Sequence, residues 1–234
     1  MLFSIDHLSI SFGGIKAVRD CSFHIEEKGR IAGLIGPNGS GKTTLFNLVT
    51  GFLKPDTGRI LFDDREITHL KPYQISRLGV GRTFQIVRLF PKLTTLQNLI
   101  VATQRGSMSE IIEKALDLLR FFELVDFKHT LVGNLGFGQQ KLLEFAKVLI
   151  ADPKLILLDE PVAGLNLAMV QKLTQYIREL HVKGHTFLIV EHNIHMIMDL
   201  CHKVVVLNQG EKIAEGTPEE IKNSRQVIEI YLGE

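Results

Sequence analysis

The order of apolar and polar residues along the chain predicts strands that alternate with helices. Residues 2–12 and 17–25 alternate roughly between apolar and polar positions on either side of a glycine pair, which predicts two paired strands. Residues 30–35 form a short apolar run that predicts a buried strand, and residues 42–50 continue it as a helix closed by Gly51. Further strands are predicted at 58–67, 80–85, 154–160 and 186–192, a hairpin at 203–216 that turns at 208–210, and helices at 72–78, 139–150 and 167–183.

This alternation favours a largely parallel sheet with helices on both faces. Helical patterning between residues 87 and 150 interrupts it, so we predict a separate helical subdomain there. One face of the predicted helix 139–150 is apolar and is expected to be core. Its apolar residues are Leu142, Phe145, Ala146 and Leu149.

Composition narrows the class of protein. The 234 residues are 45% apolar and 23% charged, with a formal net charge of +1, which does not favour a nucleic-acid-binding protein. Cys21 and Cys201 lie far apart, and we interpret them as reduced thiols of an intracellular protein. The N-terminal residues do not resemble a signal peptide, and the longest apolar runs are too short to cross a bilayer. We therefore expect any membrane-spanning part to come from a partner.

A phosphate-binding motif is the most specific chemical signal. The stretch GPNGSGKT, residues 36–43, fits the pattern G-x-x-x-x-G-K-[ST] between a predicted strand and a predicted helix. Its glycines allow consecutive N–H groups to surround phosphates, and Lys42 adds a positive charge. The Thr43 hydroxyl is suited to Mg²⁺. The alternative is a glycine-rich turn with a solvated lysine.

Two acids end the apolar run 155–158. In a nucleoside-triphosphatase sheet, Asp159 would hold Mg²⁺ through water, and Glu160 would orient or deprotonate an attacking water. The alternative is a pair that ends a strand and meets solvent. A second segment, NLGFGQQ at 134–140, places glycines and amides before a predicted helix, which is typical of a second anion-binding helix start.

In this order, these motifs resemble the ATP-binding-cassette ATPases over essentially the whole chain. The resemblance implies that Phe12 packs against adenine and that phosphates are held by Gly36, Pro37, Asn38, Gly39, Ser40, Gly41, Lys42, Thr43 and Thr44. It implies metal contacts from Thr43, Gln85 and Asp159, and catalytic roles for Glu160, His192 and Gln85. Gly136, Gly138 and Gln139 fall at the family signature, and residues 163–166 at its dimer-contact loop.

The resemblance also implies an architecture and partners. It implies a single ATPase domain of the α/β class over residues 1–234. Residues 1–86 and 151–234 would form the P-loop NTPase (RecA-like) core together with an antiparallel β subdomain, and residues 87–150 would form an inserted α-helical signature subdomain. Two chains would face head to tail around ATP and Mg²⁺, as a homodimer or as a heterodimer with a sister ATPase subunit. The signature helix of one chain would then cover the γ-phosphate held by the other.

The closer resemblance is to ATPase subunits of bacterial and archaeal branched-chain amino-acid importers. It is carried by GPNGSGKTTLFNLVTGFLKPDTGRILF, GVGRTFQIVRLFPKLTTLQNL, LLDEPVAGLN and KIAEGTPEEI. It implies ATP hydrolysis coupled to transport, and a peripheral position on the cytoplasmic side of the cell membrane. Integral membrane permease subunits would bind near Gln85, in a groove formed by Ile86, Val87, Leu89 and Phe90, although these four could instead be core. Alternatives are a regulatory cassette without transport, or the ATPase of a urea-type or lipid transporter.

Two departures from the family pattern matter. The signature normally opens Leu-Ser, whereas this chain has Leu135 and Gly136, so we expect weakened hydrolysis. The helical region between Val101 and the signature is shorter than is usual in this subfamily. His192 and His195 lie three residues apart on a predicted helix, which we interpret as a polar helix face rather than a metal pair.

Overall fold

The computed structural model describes residues 1–26, 28–103 and 106–232, with side chains to residue 230. Its elements alternate between strands and helices. In chain order they are β1 (Phe3–Phe12), β2 (Ile15–Ile25), β3 (Ile31–Ile35), α1 (Lys42–Val49), β4 (Thr57–Phe62), β5 (Arg65–Glu66), α2 (Pro72–Leu78), β6 (Val80–Arg82), α3 (Thr95–Ile100), α4 (Met108–Phe121), α5 (Phe137–Leu149), β7 (Leu155–Asp159), α6 (Leu167–Val182), β8 (Thr186–Val190), α7 (Ile194–Leu200), β9 (Lys203–Asn208), β10 (Glu211–Gly216), α8 (Pro218–Lys222) and α9 (Arg225–Leu232).

Six strands form the central sheet in the order β10-β9-β3-β8-β7-β6. Every neighbouring pair is parallel except β9 and β10, which form the predicted hairpin. Strands β3, β7 and β8 are buried at every residue, because a parallel sheet is covered on both faces. Continuous apolar runs therefore predict these strands well.

Successive side chains of the sheet enter two different cores. Ile156 and Leu158 pack with residues of helices α4 to α7, whereas Leu155 and Leu157 pack with β1, β2 and α1. This period of two is the alternation expected of a strand. The sheet thus separates a helical layer from a layer that contains a second sheet.

That second sheet is antiparallel and has the order β2-β1-β4-β5. The prediction of one strand over 58–67 is wrong, since the chain turns between β4 and β5. Asp63 and Asp64 occupy the turn with φ of 52° and 59°, and Asp tolerates this left-handed region better than most residues. The strand predicted at 80–85 is also shorter, because β6 ends at Arg82.

The helical block from α3 to α5 packs on the central sheet through one continuous core. The predicted apolar face of α5 is buried at all four positions, which confirms it as core. Phe122 lies with its ring centroid 5.4 Å from that of Phe145 and 4.9 Å from that of Tyr176 in α6. The boundary at residues 87–150 between two subdomains stays a prediction.

Candidate functional site

The loop between β3 and α1 has a shape that only glycine permits at two positions. Gly36 has φ of 152°, and a Cβ there would lie 2.1 Å from the carbonyl oxygen of Leu207 at the end of β9. Gly41 has φ of 102°, and a Cβ there would lie 2.4 Å from the carbonyl oxygen of Ala17 in β2. Backbone from two other strands therefore presses on the loop and fixes its curvature.

Lys42 is turned into this loop. Its side chain is largely buried, and Nζ donates to the carbonyl oxygens of Gly36 at 2.7 Å and Pro37 at 2.8 Å. Helix α1 begins at Lys42 with no acidic residue in its first turn and no side-chain cap. Because a helix start offers unpaired N–H groups and a partial positive charge, this arrangement is suited to bind an anion.

Parallel strands bring the other predicted residues to the same edge of the sheet. The glycine loop follows β3, Asp159 and Glu160 lie at the end of β7, and His192 follows β8. Since β3 neighbours β8 and β8 neighbours β7, their carboxyl ends lie side by side. A pocket of about 440 Å³ results, and it is lined by Ile15, Lys16, Ala17, Arg19, Asn38, Gly39, Ser40, Gly41, Lys42, Thr43, Thr44, Glu160, His192 and Gln209.

The β1–β2 hairpin supplies one wall of the pocket. Sequence reasoning selected Phe12, which ends β1 and is 48% exposed. The neighbouring β2 residues Ile15, Lys16, Ala17 and Arg19 line the pocket, whereas Phe12 does not. Nothing in the sequence alone distinguished them from other strand residues.

Glu160 is held by two of the predicted residues. Gln85 donates from Nε2 to Glu160 Oε2 at 2.9 Å, and His192 Nε2 lies 3.1 Å from Glu160 Oε1. Glu160 also has φ of 48°, a strained value for a non-glycine residue. His192 precedes α7 and only His195 lies within it, so the prediction that both lie on one helix is wrong.

Asp159 is 3% exposed and has a partner that sequence reasoning missed. Arg82 donates from Nη2 to Asp159 Oδ2 at 2.8 Å, and both side chains are buried. Burial lowers the pKa of Arg82, and the hydrogen bond to Asp159 opposes that shift. The backbone N–H of Asp159 donates to Thr83 Oγ1 at 3.2 Å.

Glu191 is a second missed carboxylate, buried between the loops after β7 and β8. Its Oε1 accepts from the N–H of Val162 at 2.9 Å, and its Oε2 from those of His192 at 3.1 Å and Asn193 at 3.3 Å. Burial raises the pKa of Glu191, while these hydrogen bonds oppose the rise. Glu191 therefore holds the backbone of His192 against the segment that follows Glu160.

The second predicted anion-binding helix start lies elsewhere. Gly136 is the N-cap of α5, and its N–H donates to Gln139 Oε1 at 2.9 Å. A Cβ at Gly138 would lie 3.1 Å from Met169 Cε. Phe137 is half-exposed beside Gly164 of the predicted dimer-contact loop. Among the described residues that line the pocket, none comes from α5, so the start of α5 lies outside this pocket.

One face of α5 is bound to the segment around Gln85. Lys141 Nζ donates to the carbonyl oxygen of Gln85 at 3.2 Å, and Lys147 Nζ to that of Arg88 at 2.8 Å. The N–H of Arg88 donates to Glu144 Oε1 at 3.1 Å. Burial raises the pKa of Glu144 and lowers that of Lys147. The segment that contacts Glu160 through Gln85 is therefore also bound to α5.

A groove of about 370 Å³ lies beside the same segment. Ile86, Val87, Leu89 and Phe90 do not line this groove, whose wall beside the segment is formed by Phe84 and Arg88, and their predicted contact with a permease stays a prediction. Ile86 is 80% exposed, and Leu89 packs against the helical core. The groove has aromatic and charged walls, contributed among others by Phe52, Tyr73, Arg82, Glu144 and Lys147.

The oxygen donors at the site suit a small hard cation. Thr43 offers a hydroxyl, Gln85 an amide oxygen and Asp159 a carboxylate, which are donors that Mg²⁺ accepts. In the part of the chain that the structure describes, no group of three or more His, Cys, Asp or Glu side chains is placed to hold a metal. A cation here would need phosphate oxygens and water to complete its shell.

The described helices include none that is long and apolar enough to span a membrane.

A glycine loop between a buried strand and a helix, with acids at the ends of neighbouring parallel strands, defines a P-loop nucleotide-binding cassette. Comparison with known families agrees. Residues 18–163 match the ABC transporter family, and residues 211–234 match the family of branched-chain amino acid ATP-binding cassette transporters. The chain belongs to the ABC transporter family, as one of its ATPase subunits. The predicted family and fold class are confirmed.

Similar proteins cover the full length. The high-affinity branched-chain amino acid transport ATP-binding protein LivG of Salmonella typhimurium is 39% identical over 251 aligned positions, covering 100% of this chain and 98% of LivG. BraF of Pseudomonas aeruginosa, with the same description, is also 39% identical with the same coverage. Because the alignments are longer than the 234 residues of this chain, those proteins carry residues that it lacks.

Solved structures of ATP-binding cassettes have the same fold as this chain. The ADP conformation of an ATP-binding cassette of an ABC transporter is 33% identical with a TM-score of 0.90, covering 100% of this chain and 99% of the other. A dimeric post-hydrolysis cassette bound to ADP and Pi is 27% identical with a TM-score of 0.83, covering 93% and 99%.

Proposed function

We propose that the chain is the ATP-hydrolysing subunit of an importer for branched-chain amino acids. The observation that carries this proposal is the meeting of the Lys42 loop, Glu160 and His192 at one pocket. The cargo follows from the relatives, whose descriptions name branched-chain amino acid transport. The fold of an ATPase subunit does not reveal its cargo, so the proposed cargo rests on the relatives alone.

ATP would bind with its phosphates in the loop from Gly36 to Thr44. Lys42 would exchange its two carbonyl partners for β- and γ-phosphate oxygens, which are stronger acceptors because they are charged. The adenine would lie along the β1–β2 hairpin, against Phe12 or Ile15. Gln209 and Arg19 lie at the same end of the pocket.

Mg²⁺ would be held by Thr43, Gln85 and, through water, Asp159. It would neutralise charge on the phosphates when bound. The chain supplies only hydroxyl, amide and carboxylate oxygens there, which fits a cation that retains water and takes phosphate ligands.

Glu160 would act as the general base that removes a proton from the attacking water. In the structure both of its oxygens are engaged, one by Gln85 and one by His192. Each carboxylate oxygen can accept a further hydrogen bond, so Glu160 could receive the water while Gln85 and His192 orient it.

Two chains would complete two ATP sites. The start of α5 at Gly136 lies outside its own pocket, so its N–H groups would serve the nucleotide of a second chain facing head to tail. A homodimer or a heterodimer with a sister ATPase satisfies this geometry. The groove beside Phe84 and Arg88 would receive a helix of a membrane permease, which would keep the chain at the cytoplasmic side of the cell membrane.

ATP-dependent dimerisation of Glu160→Gln tests the composite site. The amide cannot accept the proton, so ATP should persist and the closed dimer accumulate. Light scattering should report a dimer only with ATP and Mg²⁺, and the double variant with Lys42→Ala should remain monomeric. A Glu160→Gln chain that binds ATP yet stays monomeric, alone and with candidate sister subunits, would contradict the head-to-tail site.

Transport by the assembled complex tests the cargo. Purification with its permease subunits and reconstitution into vesicles should give ATP-dependent uptake of leucine, isoleucine or valine. Uptake of urea in their place would favour a urea-type importer. A chain that hydrolyses ATP but retains no hydrophobic membrane protein would favour a regulatory cassette.

A further inference from the structure

Arg82 lies between the groove and the site. It is one of the groove's lining residues, yet its guanidinium donates toward the nucleotide side. Nη2 donates to Asp159 at 2.8 Å, and Nη1 donates to Asn47 Oδ1 at 2.8 Å and to Thr50 Oγ1 at 3.0 Å. Asn47 belongs to α1, the helix that the phosphate loop opens, and Thr50 follows it directly. One side chain therefore joins the end of β6, the phosphate-loop helix and the predicted metal carboxylate.

Stability alone is a weak reason for this arrangement. The side chains of Arg82 and Asp159 are 6% and 4% exposed, and burying two charges has a desolvation cost that often offsets their attraction. Moreover, Arg82 Nε is buried without a hydrogen-bond partner among the described residues, which is a further cost. Replacing both residues by apolar side chains would avoid both costs, whereas replacing Arg82 alone would leave Asp159 buried without its partner. The pair is therefore better explained by what Arg82 does to Asp159.

The groove end of Arg82 is held by an aromatic ring. The guanidinium carbon of Arg82 lies 5.0 Å from the ring centroid of Phe84, and that of Arg88 lies 3.8 Å from the same centroid. Phe84 in turn packs edge-on against Phe52, another residue that lines the groove. A side chain that enters the groove would press on Phe84, and Phe84 contacts Arg82 directly.

The segment from Arg82 to Gln85 also contacts both catalytic-site acids. Arg82 and Thr83 bind Asp159, and Gln85 binds Glu160. Phe84 is the member of the segment that lines the groove together with Arg82. The segment therefore contacts the two acids through Arg82, Thr83 and Gln85, and the groove through Arg82 and Phe84.

We propose that Arg82 is a positioning residue that makes the Mg²⁺ dependence of nucleotide binding sensitive to what occupies the groove. The inference rests on the proposed role of Asp159 and of the groove. With the groove empty, the guanidinium neutralises Asp159 and competes with a divalent cation for it. A groove occupant that displaces Phe84 loosens Arg82 and releases the carboxylate toward the cation. By linkage, the nucleotide with its cation would change the affinity of the groove by the same factor.

The Mg²⁺ concentration for half-maximal binding of a fluorescent ATP analogue tests this in the isolated chain. Arg82→Met removes the competing charge and should lower that concentration about five-fold or more, the lower bound of typical coupling between sites. Arg82→Lys retains a positive charge beside Asp159 and should leave that concentration closer to the wild-type value. Arg88→Lys is the matched control, because Arg88 stacks on Phe84 and lines the groove without contacting Asp159.

Phe84→Leu tests the groove side of the link. It leaves every polar contact of Arg82 in place but removes the ring between Arg82 and Arg88, and should lower the half-saturating Mg²⁺ concentration in the same direction. If Arg82→Met gives the wild-type value, or if Phe84→Leu does, the inference is wrong. A wild-type chain that fails to bind the ATP analogue with Mg²⁺ would instead overturn the proposed function. Should Arg82→Met not fold, Arg82→Gln, which also removes the charge, decides the question in the same way.

Discussion

Replacing Gly136 by serine restores the hydroxyl that the ABC signature normally carries, and the structure accommodates it. Gly136 has φ of −63° and ψ of 154°, which suits any L residue. A Cβ there would meet Gln139 Oε1 at 3.6 Å, an ordinary contact. The N–H of Gly136 already donates to that oxygen, so a serine hydroxyl would complete a reciprocal cap with the N–H of Gln139.

The added hydroxyl should change the stability of the isolated chain and the stability of the closed dimer by different free energies. As an N-cap, serine exceeds glycine by only a few tenths of a kcal/mol, so the isolated chain should unfold at nearly the same temperature. In the closed dimer the hydroxyl would donate to a charged phosphate oxygen, a hydrogen bond that contributes about 1.5–3 kcal/mol. That corresponds to about 10- to 150-fold in the dimerisation equilibrium for each of the two ATP sites of a homodimer.

The assay compares dimer formation with ATP and Mg²⁺ in a Glu160→Gln background, together with ATPase rates in the background that retains Glu160. Gly136→Ser should dimerise at lower chain concentration and hydrolyse ATP faster. Gly136→Ala is the matched control, because it adds a Cβ without a hydroxyl and should lower helix stability by about 0.5–1 kcal/mol. If the serine chain dimerises and hydrolyses ATP as the glycine chain does, the missing hydroxyl does not weaken this enzyme.

Three further outcomes follow from burial and backbone geometry. Burial raises the pKa of Cys21 and of Cys201 to about 12, so neither thiol should react with iodoacetamide at pH 8 until the chain unfolds, and labelling of the native chain would contradict this. Gly36→Ala places a Cβ 2.1 Å from the Leu207 carbonyl oxygen and should abolish ATP binding in a titration calorimeter, whereas retained affinity would show that the loop can shift. Because the pKa of Glu191 is raised in the folded chain, its contribution to stability is full below the unfolded pKa and is lost as pH rises through the folded value. Glu191→Gln should therefore give a free energy of unfolding that falls less than in the wild type as pH rises above the ordinary pKa of a glutamate, and equal slopes would refute this.

The elements that sequence patterning located best are those whose signal is local. Strands β3, β7 and β8 are buried on both faces, so each appears as an uninterrupted apolar run whose ends the structure reproduces within a residue or two. The glycine loop is equally local, because its motif states which backbone positions need positive φ. Helices α8 and α9 were not predicted, although Thr217-Pro218 with Glu220 carries the pattern of a capped helix start.

The contacts that remained hidden join residues far apart along the chain. Arg82 and Asp159 are 77 positions apart, and Glu191 and Val162 are 29 apart. Periodicity gives the face of a strand but not the identity of its neighbour, so a charged residue in a short apolar strand predicts a buried partner without naming it. The turn at Asp63 and Asp64 was missed because it lies in a polar run, 63–66, that contains neither glycine nor proline to mark it.

The backbone contacts that hold the phosphate loop in shape affect the free energy of ATP binding. The carbonyl oxygens of Leu207 and Ala17 impose the curvature of the loop, and the N–H of Gly210 donates to Ser40 O at 3.1 Å. A triphosphate therefore meets a receptor that is already ordered, and little of its binding free energy is consumed in ordering it. In the proposed two-chain site, the binding free energy that is not consumed in this way would be available to bring a second chain onto the exposed phosphates, so the rigidity of the loop would favour closure of the dimer.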